Sequence, residues 1–205
     1  MTELLKRYPQ LSFCKQSIDD AVAELIKCYN NNGKILLCGN GGSCADCDHI
    51  VGELMKGFLK KRPLDDKIKS EILSNSPTAE TDMLNKLQCG LPAISLPSMT
   101  AVNSAFCNDV EPKYMYAQTL FVLGNKNDSL IAISTSGNSE NVVAAANLAK
   151  GLGMTVIALT GKNGGKLKDI ADICIAVSET ETFKIQELHL PVYHYICATL
   201  ENKFF

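Results

Sequence analysis

Five short apolar runs recur along the chain, at 34–38 (KILLC), 93–96, 129–133, 155–159 and 173–177. Their hydrophobicity is continuous, not alternating, which predicts strands buried on both faces, as in a parallel sheet covered by helices. Between the runs the period lengthens. Ile18, Val22, Leu25, Ile26 and Tyr29 fall at three- and four-residue steps, which predicts an amphipathic helix stopped by Asn31-Asn32-Gly33. A second such helix is expected over 140–152, with Val142, Val143, Ala146 and Leu148 on one side and Gly151 and Gly153 as stop signals. A short helix is expected near the start, over 3–8. Strand and helix alternate, so the predicted architecture is a three-layer αβα sandwich with a central parallel sheet and N-terminal helices.

One stretch departs from this rhythm. Residues 62–89 are polar, with helix-like patches at 65–73 and 80–87 separated by Ser74-Asn75-Ser76-Pro77, and read as a helical insertion able to act as a mobile lid, with a disordered surface loop as the alternative. A length of 205 residues with 46% hydrophobic content suits one domain over 1–205 with a sizeable core. Lys and Arg number 20 against 22 for Asp and Glu, so the charge of −2 gives no general attraction to nucleic acid. Glu3, Lys6 and Arg7 occupy the place of a signal core, and no apolar run nears the ~18 residues of a membrane span, so a cytoplasmic location is expected. Nine cysteines is an odd number, and Cys38, Cys174 and Cys197 sit inside apolar runs, which favours reduced, buried thiols.

Two loops have the composition of anion sites. Cys38-Gly39-Asn40-Gly41-Gly42-Ser43 follows the first strand; it is either a tight turn or a phosphate loop, and it matches neither a Walker A nor a dinucleotide pattern. Ser134-Thr135-Ser136-Gly137-Asn138-Ser139 lies between a strand and a helix. It places four hydroxyls at the positive end of that helix, where capping needs only one.

The three histidines are His49, His189 and His194. His49 and Glu53 are four apart on a predicted helix, a spacing that serves a surface ion pair, half of a metal site or a general base. Gln186, His189 and His194 share an amphipathic C-terminal segment in which Pro191 predicts a kink or a helix start. Cys44 and Cys47 have CxxC spacing at a helix start, open to redox or zinc chemistry but without a second pair to support it.

CGNGGSCADCDHIVGEL at 38–54, ISTSGNSENV at 133–142, ALTGKNGGKL at 158–167 and KIQELHLPVYH at 184–194 together resemble the sugar isomerase (SIS) family, and the phosphoheptose isomerases within it. The resemblance runs in consistent order from Asn32 onward. It implies a SIS, flavodoxin-like fold and the interconversion of sedoheptulose 7-phosphate with a manno-heptose 7-phosphate, in zinc-binding homotetramers. Asn40, Gly41, Gly42 and Ser43 would line the substrate pocket. Ser134, Thr135, Ser136 and Ser139 would hold the phosphate, and Asn108 and Asp109 would touch the sugar. His49, Glu53, Gln186 and His194 match the family's metal ligands, with Glu53 and His194 as its acid/base pair and Gln186 also a substrate contact. The stretch 62–89 is longer than the family's usual link, and Phe183 is bulkier than the small residue its relatives carry there. Relatives in fold also serve as sugar-phosphate sensors or partners of a replication initiator. A sensor needs the hydroxyl loop but not the base and acid, so the four ligand-type residues favour catalysis.

Overall fold

The computed structural model describes residues 1–205. Its first elements are α1 (Thr2–Arg7), a 3-10 stretch (Pro9–Cys14), α2 (Lys15–Asn30), β1 (Ile35–Gly39) and α3 (Gly42–Met55). Next come α4 (Asp66–Asn75), α5 (Thr81–Lys86), β2 (Ala93–Ser95), α6 (Thr100–Asp109) and α7 (Met115–Leu123). The chain closes with β3 (Ser129–Ile133), α8 (Glu140–Gly151), β4 (Thr155–Thr160), α9 (Gly165–Ile170), β5 (Ile173–Ala176) and α10 (Thr182–Phe204). All five expected strands are present, within a residue or so of their predicted ends.

The strands form one parallel sheet in the order β2-β1-β3-β4-β5, with Leu36 opposite Leu130 and Leu130 opposite Val156. Successive side chains of each strand go to opposite layers. Ile35, Leu37, Ile131, Ile133, Ile157 and Leu159 pack under α2, α3 and α10. Leu36, Cys38, Leu130, Ala132, Val156 and Ala158 pack under α7, α8 and α9. Strand order reverses between β1 and β3. In open parallel sheets, ligands bind beyond the carboxyl ends of the strands at such a switch point. The loops leaving β1 and β3 there are 40–41 and 134–139, the two glycine- and hydroxyl-rich segments.

Pro191 neither starts nor ends a helix. α10 runs unbroken for 23 residues through it. A mid-helix proline costs about 3 kcal/mol, and here Ile185, Leu188, Val192, Tyr193, Ile196 and Leu200 are buried around it, which fixes the helix by packing. The stretch 62–89 carries α4, which buries no residue, and α5, which buries Leu84. Its ends are tied where the Cys89 N–H donates to the Arg62 carbonyl at 2.7 Å. No helix of the structure is long and apolar enough to cross a membrane.

Candidate active site

At the switch point the chain forms a cleft of about 260 Å³ lined by Asn40, Gly41, Gly42, Ser43, Ser134, Thr135, Ser139, Thr182 and Gln186, with Ile133 the lone apolar wall. That is just below the usual ligand-pocket range of ~300–1,000 Å³ and suits a small polar metabolite, not a dinucleotide. Gly41 has φ +56°, a left-handed value that glycine adopts without strain. Gly42 matters for a different reason, because a Cβ there would push the end of the Gln186 side chain aside. The Ser134 and Ser139 hydroxyls are 3.0 Å apart. With the N-terminus of α8 beside them, they form a neutral, hydroxyl-rich anion cradle.

Asn40 is held by residues far away in the chain. Its amide exchanges two hydrogen bonds with that of Asn141, at 2.8 and 2.9 Å. The Tyr116 hydroxyl lies 2.7 Å from the Gly39 carbonyl and 3.1 Å from Asn40 Oδ1. Ser136 is outside the cleft, its hydroxyl accepting from the Asn138 N–H at 3.1 Å, and it lines a neighbouring cavity with Thr135 and Lys162. Asn108 and Asp109 are also outside, exposed at the end of α6 and bonded to each other at 2.8 Å. Within one chain, therefore, neither asparagine 108 nor its neighbour reaches the cleft.

A second cluster lies where α3 crosses α10. Glu53 Oε1 is 3.2 Å from His49 Nε2, and that nitrogen is 3.4 Å from His194 Nε2. Helical spacing explains the first pair, one turn apart on α3; packing of α10 on α3 supplies the imidazole from 145 residues away. Burial first, and then the cost of placing a second cation beside the His49 ring, hold the His194 imidazole below its ordinary value against the opposing pull of Glu53, so it is a neutral base at neutral pH. Gln186 belongs to the cleft, not to this cluster. It is eight residues before His194 on an unbroken helix, a rise of about 12 Å. No three His, Cys, Asp or Glu side chains close around a common point fit for a metal ion. The expected four-ligand set is thus assembled only in part within one chain: the donor chemistry is present, the closure is not.

The carboxyl end of α3 is fixed by a buried ion pair. Arg62 Nε donates to Glu201 Oε1 at 2.8 Å, while its other nitrogens cap the Leu54 and Glu53 carbonyls at 2.7 and 3.1 Å. Glu201 also accepts from the N–H groups of Phe58, Leu59 and Lys60. These bonds, led by the backbone ones, hold its carboxyl below the usual value against the opposing effect of burial. Arg62 lies inside the stretch read as an insertion, and its role was not legible there. Cys44 and Cys47 both have thiols pushed up by burial, Cys47 well up, so neither is a ready thiolate, and Cys47 packs in the core.

The SIS domain family matches residues 2–88 and 82–161. The phosphoheptose isomerase of Helicobacter pylori (strain P12) is 36% identical over 202 residues, covering 98% of this chain and 91% of its own length. This chain belongs to the phosphoheptose isomerase family of SIS domain proteins. The solved phosphoheptose isomerase of Neisseria gonorrhoeae matches with a TM-score of 0.70 at 29% identity, over 97% of both chains. That of Francisella tularensis matches with a TM-score of 0.73 at 32% identity, over 89% of this chain and 84% of its own. Membership of the phosphoheptose isomerase family thus agrees with the parallel sheet and with the position of the cleft at its switch point.

Proposed function

We propose that the chain interconverts the ketose and aldose forms of a phosphorylated sugar, sedoheptulose 7-phosphate and D-glycero-D-manno-heptose 7-phosphate. The observation that carries this reading is the convergence of Glu53, His49 and His194 from two distant segments. Moving a carbonyl between C1 and C2 needs a base that takes a proton from one carbon and returns it to its neighbour through an enediol. Glu53 is that base. His194, neutral at working pH, moves the second proton between the two oxygens. Ser134, Thr135 and Ser139 hold the phosphate, with Ser136 beside them, and Asn40, Gly41, Gly42 and Ser43 form the cleft floor. Asn108 and Asp109 serve as sugar contacts only where another copy or a moved α6 brings them to the cleft.

His49, Glu53, His194 and Gln186 are the residues that would hold a divalent cation of zinc type, since imidazole, carboxylate and amide donors suit a borderline metal. Such an ion supplies Lewis-acid polarisation of the substrate carbonyl when bound. The roughly 12 Å rise between Gln186 and His194 points to completion across copies, in the homotetramer the family resemblance implies. His194 opens onto a groove of about 590 Å³ lined by Leu4, Tyr8, Phe58, Leu59 and Leu190. Leu59 is 68% exposed there, an apolar surface suited to a second copy.

The test is proton exchange in heavy water with sedoheptulose 7-phosphate. The wild type is expected to give aldose carrying deuterium at C2, and Glu53→Gln to give neither aldose nor exchange. Binding without exchange in the wild type would instead make the chain a sugar-phosphate sensor.

A further inference from the structure

Tyr193 is 2% exposed, and its hydroxyl lies between two groups, 3.1 Å from Asp46 Oδ1 and 3.0 Å from His49 Nδ1. A phenol has one proton to give. If it goes to His49, Asp46 is left with no donor, because Tyr193 is its sole hydrogen-bond partner and its Oδ2 is buried without one. If it goes to Asp46, the bond is charge-assisted, and the phenol oxygen then accepts from a protonated Nδ1 of His49. We propose that Asp46 and Tyr193 are positioning residues that lock His49 in its Nδ1–H tautomer, so that Nε2 turns a lone pair toward Glu53 and His194.

The competing arrangement has His49 Nε2–H donate to Glu53, 3.2 Å away. Two observations favour the lock. Glu53 keeps 16% of its side chain exposed and reaches water without His49, whereas the free oxygen of Asp46 is sealed from it. Tyr193 also packs in the core beside residues of α3 and α10, and Asp46 and His49 are the two partners its hydroxyl has. Which ring nitrogen of a histidine carries the proton is set by what the other nitrogen meets, and a carboxylate acting through a hydroxyl is a strong acceptor chain. The consequence is chemical. With Nε2 bare, Glu53 is not tied up as the acceptor of a His49 proton, and Nε2 and Oε1 both offer electron pairs to a cation. Only this consequence rests on the proposed cation site; the tautomer itself does not.

Histidine labelled with ¹⁵N reports the tautomer directly in metal-free protein. Wild type is expected to show His49 with a protonated Nδ1 and a pyridine-like Nε2, and Tyr193→Phe to move the proton to Nε2. Zinc affinity, measured by competition with a chelating dye, is expected to fall about 10- to 100-fold in Tyr193→Phe, the range for loss of a ligand-orienting partner. Asp46→Ala, which removes the acceptor outright at a half-buried position, frees the phenol proton for Nδ1 and is expected to shift both readouts the same way, and it serves if the phenylalanine variant does not fold. A wild-type His49 protonated at Nε2, or variants with unchanged tautomer, overturns the lock. A protonated Nδ1 in a wild type that takes up no zinc supports the lock and sinks the cation reading instead.

Discussion

His189 offers a test of the structure that is independent of catalysis. Its side chain is fully buried between α10 and β4, with Nε2 3.3 Å from the Thr160 carbonyl and Nδ1 without a partner. Burial pushes its pKa down to about 4 from 6.5, and the Thr160 bond only partly opposes this. The folded value lies below the unfolded one, so between those two values the unfolded chain binds the extra proton. Stability from this group is complete above pH 6.5 and drains away as the pH falls toward 4. At pH 5 the linkage amounts to about 2 kcal/mol relative to pH 7.5. Urea unfolding of wild type and His189→Gln at both pH values measures it, since glutamine keeps a donor for Thr160 but does not titrate. Glu201 and Asp172, also held low, and Asp46, raised by burial, contribute equally to both proteins and cancel. The variant's deficit at pH 7.5 should shrink or reverse by about 2 kcal/mol at pH 5. An equal difference at both values would show that His189 is not buried as described.

Two further predictions concern the site's supports. Arg62→Met leaves Glu201 as an unpaired buried carboxylate and uncaps the end of α3, and it should cost about 3–5 kcal/mol in urea unfolding; a loss below 1 kcal/mol would mean the pair is not closed in solution. Gly42→Ala displaces the end of a flexible Gln186 side chain, so stability should change by less than about 1 kcal/mol while KM for the sugar phosphate rises; an unchanged KM would remove Gln186 from the cleft.

The fold was legible because each strand is buried on both faces, which writes it into the chain as an uninterrupted apolar run. α2 and α8 were legible for the complementary reason, one apolar stripe apiece. α6 and α7 were not, because Val102, Phe121 and Val122 point outward and blur any stripe. At the site, the local motifs could be read from composition: the glycine loop after β1, the hydroxyl loop after β3, and the His49 and Glu53 pair one turn apart. What holds them could not. Tyr116 reaches Asn40 across 76 residues, Arg62 reaches Glu201 across 139, and Tyr193 reaches Asp46 across 147. No spacing rule operates at those separations. A helix start at Pro191 fails for a related reason, since the proline's penalty is local and the burial that carries α10 through it is tertiary.

The separation of cleft and acid/base cluster along α10 has a consequence that mixing can expose. If the hydroxyl cleft of one copy works with Glu53 of another, then Glu53→Gln and a cleft variant such as the double change Ser134→Ala, Ser139→Ala are each inactive alone, yet not equivalent. In an assembly formed from equal amounts of both, a site is whole when its cleft comes from the first variant and its base from the second. Random association makes that about one site in four, since each contribution is drawn independently from two equally common copies. Co-refolding the two variants should therefore return about a quarter of wild-type isomerisation, while mixing without subunit exchange returns none. A site built within one chain gives a different result, because every copy then carries one defect or the other and no arrangement of them is whole. Co-refolded material as inactive as its parents, with mixed assemblies confirmed by native mass spectrometry, would place the cleft and the carboxylate in the same chain and would require Gln186 and His194 to cooperate across the helix that separates them.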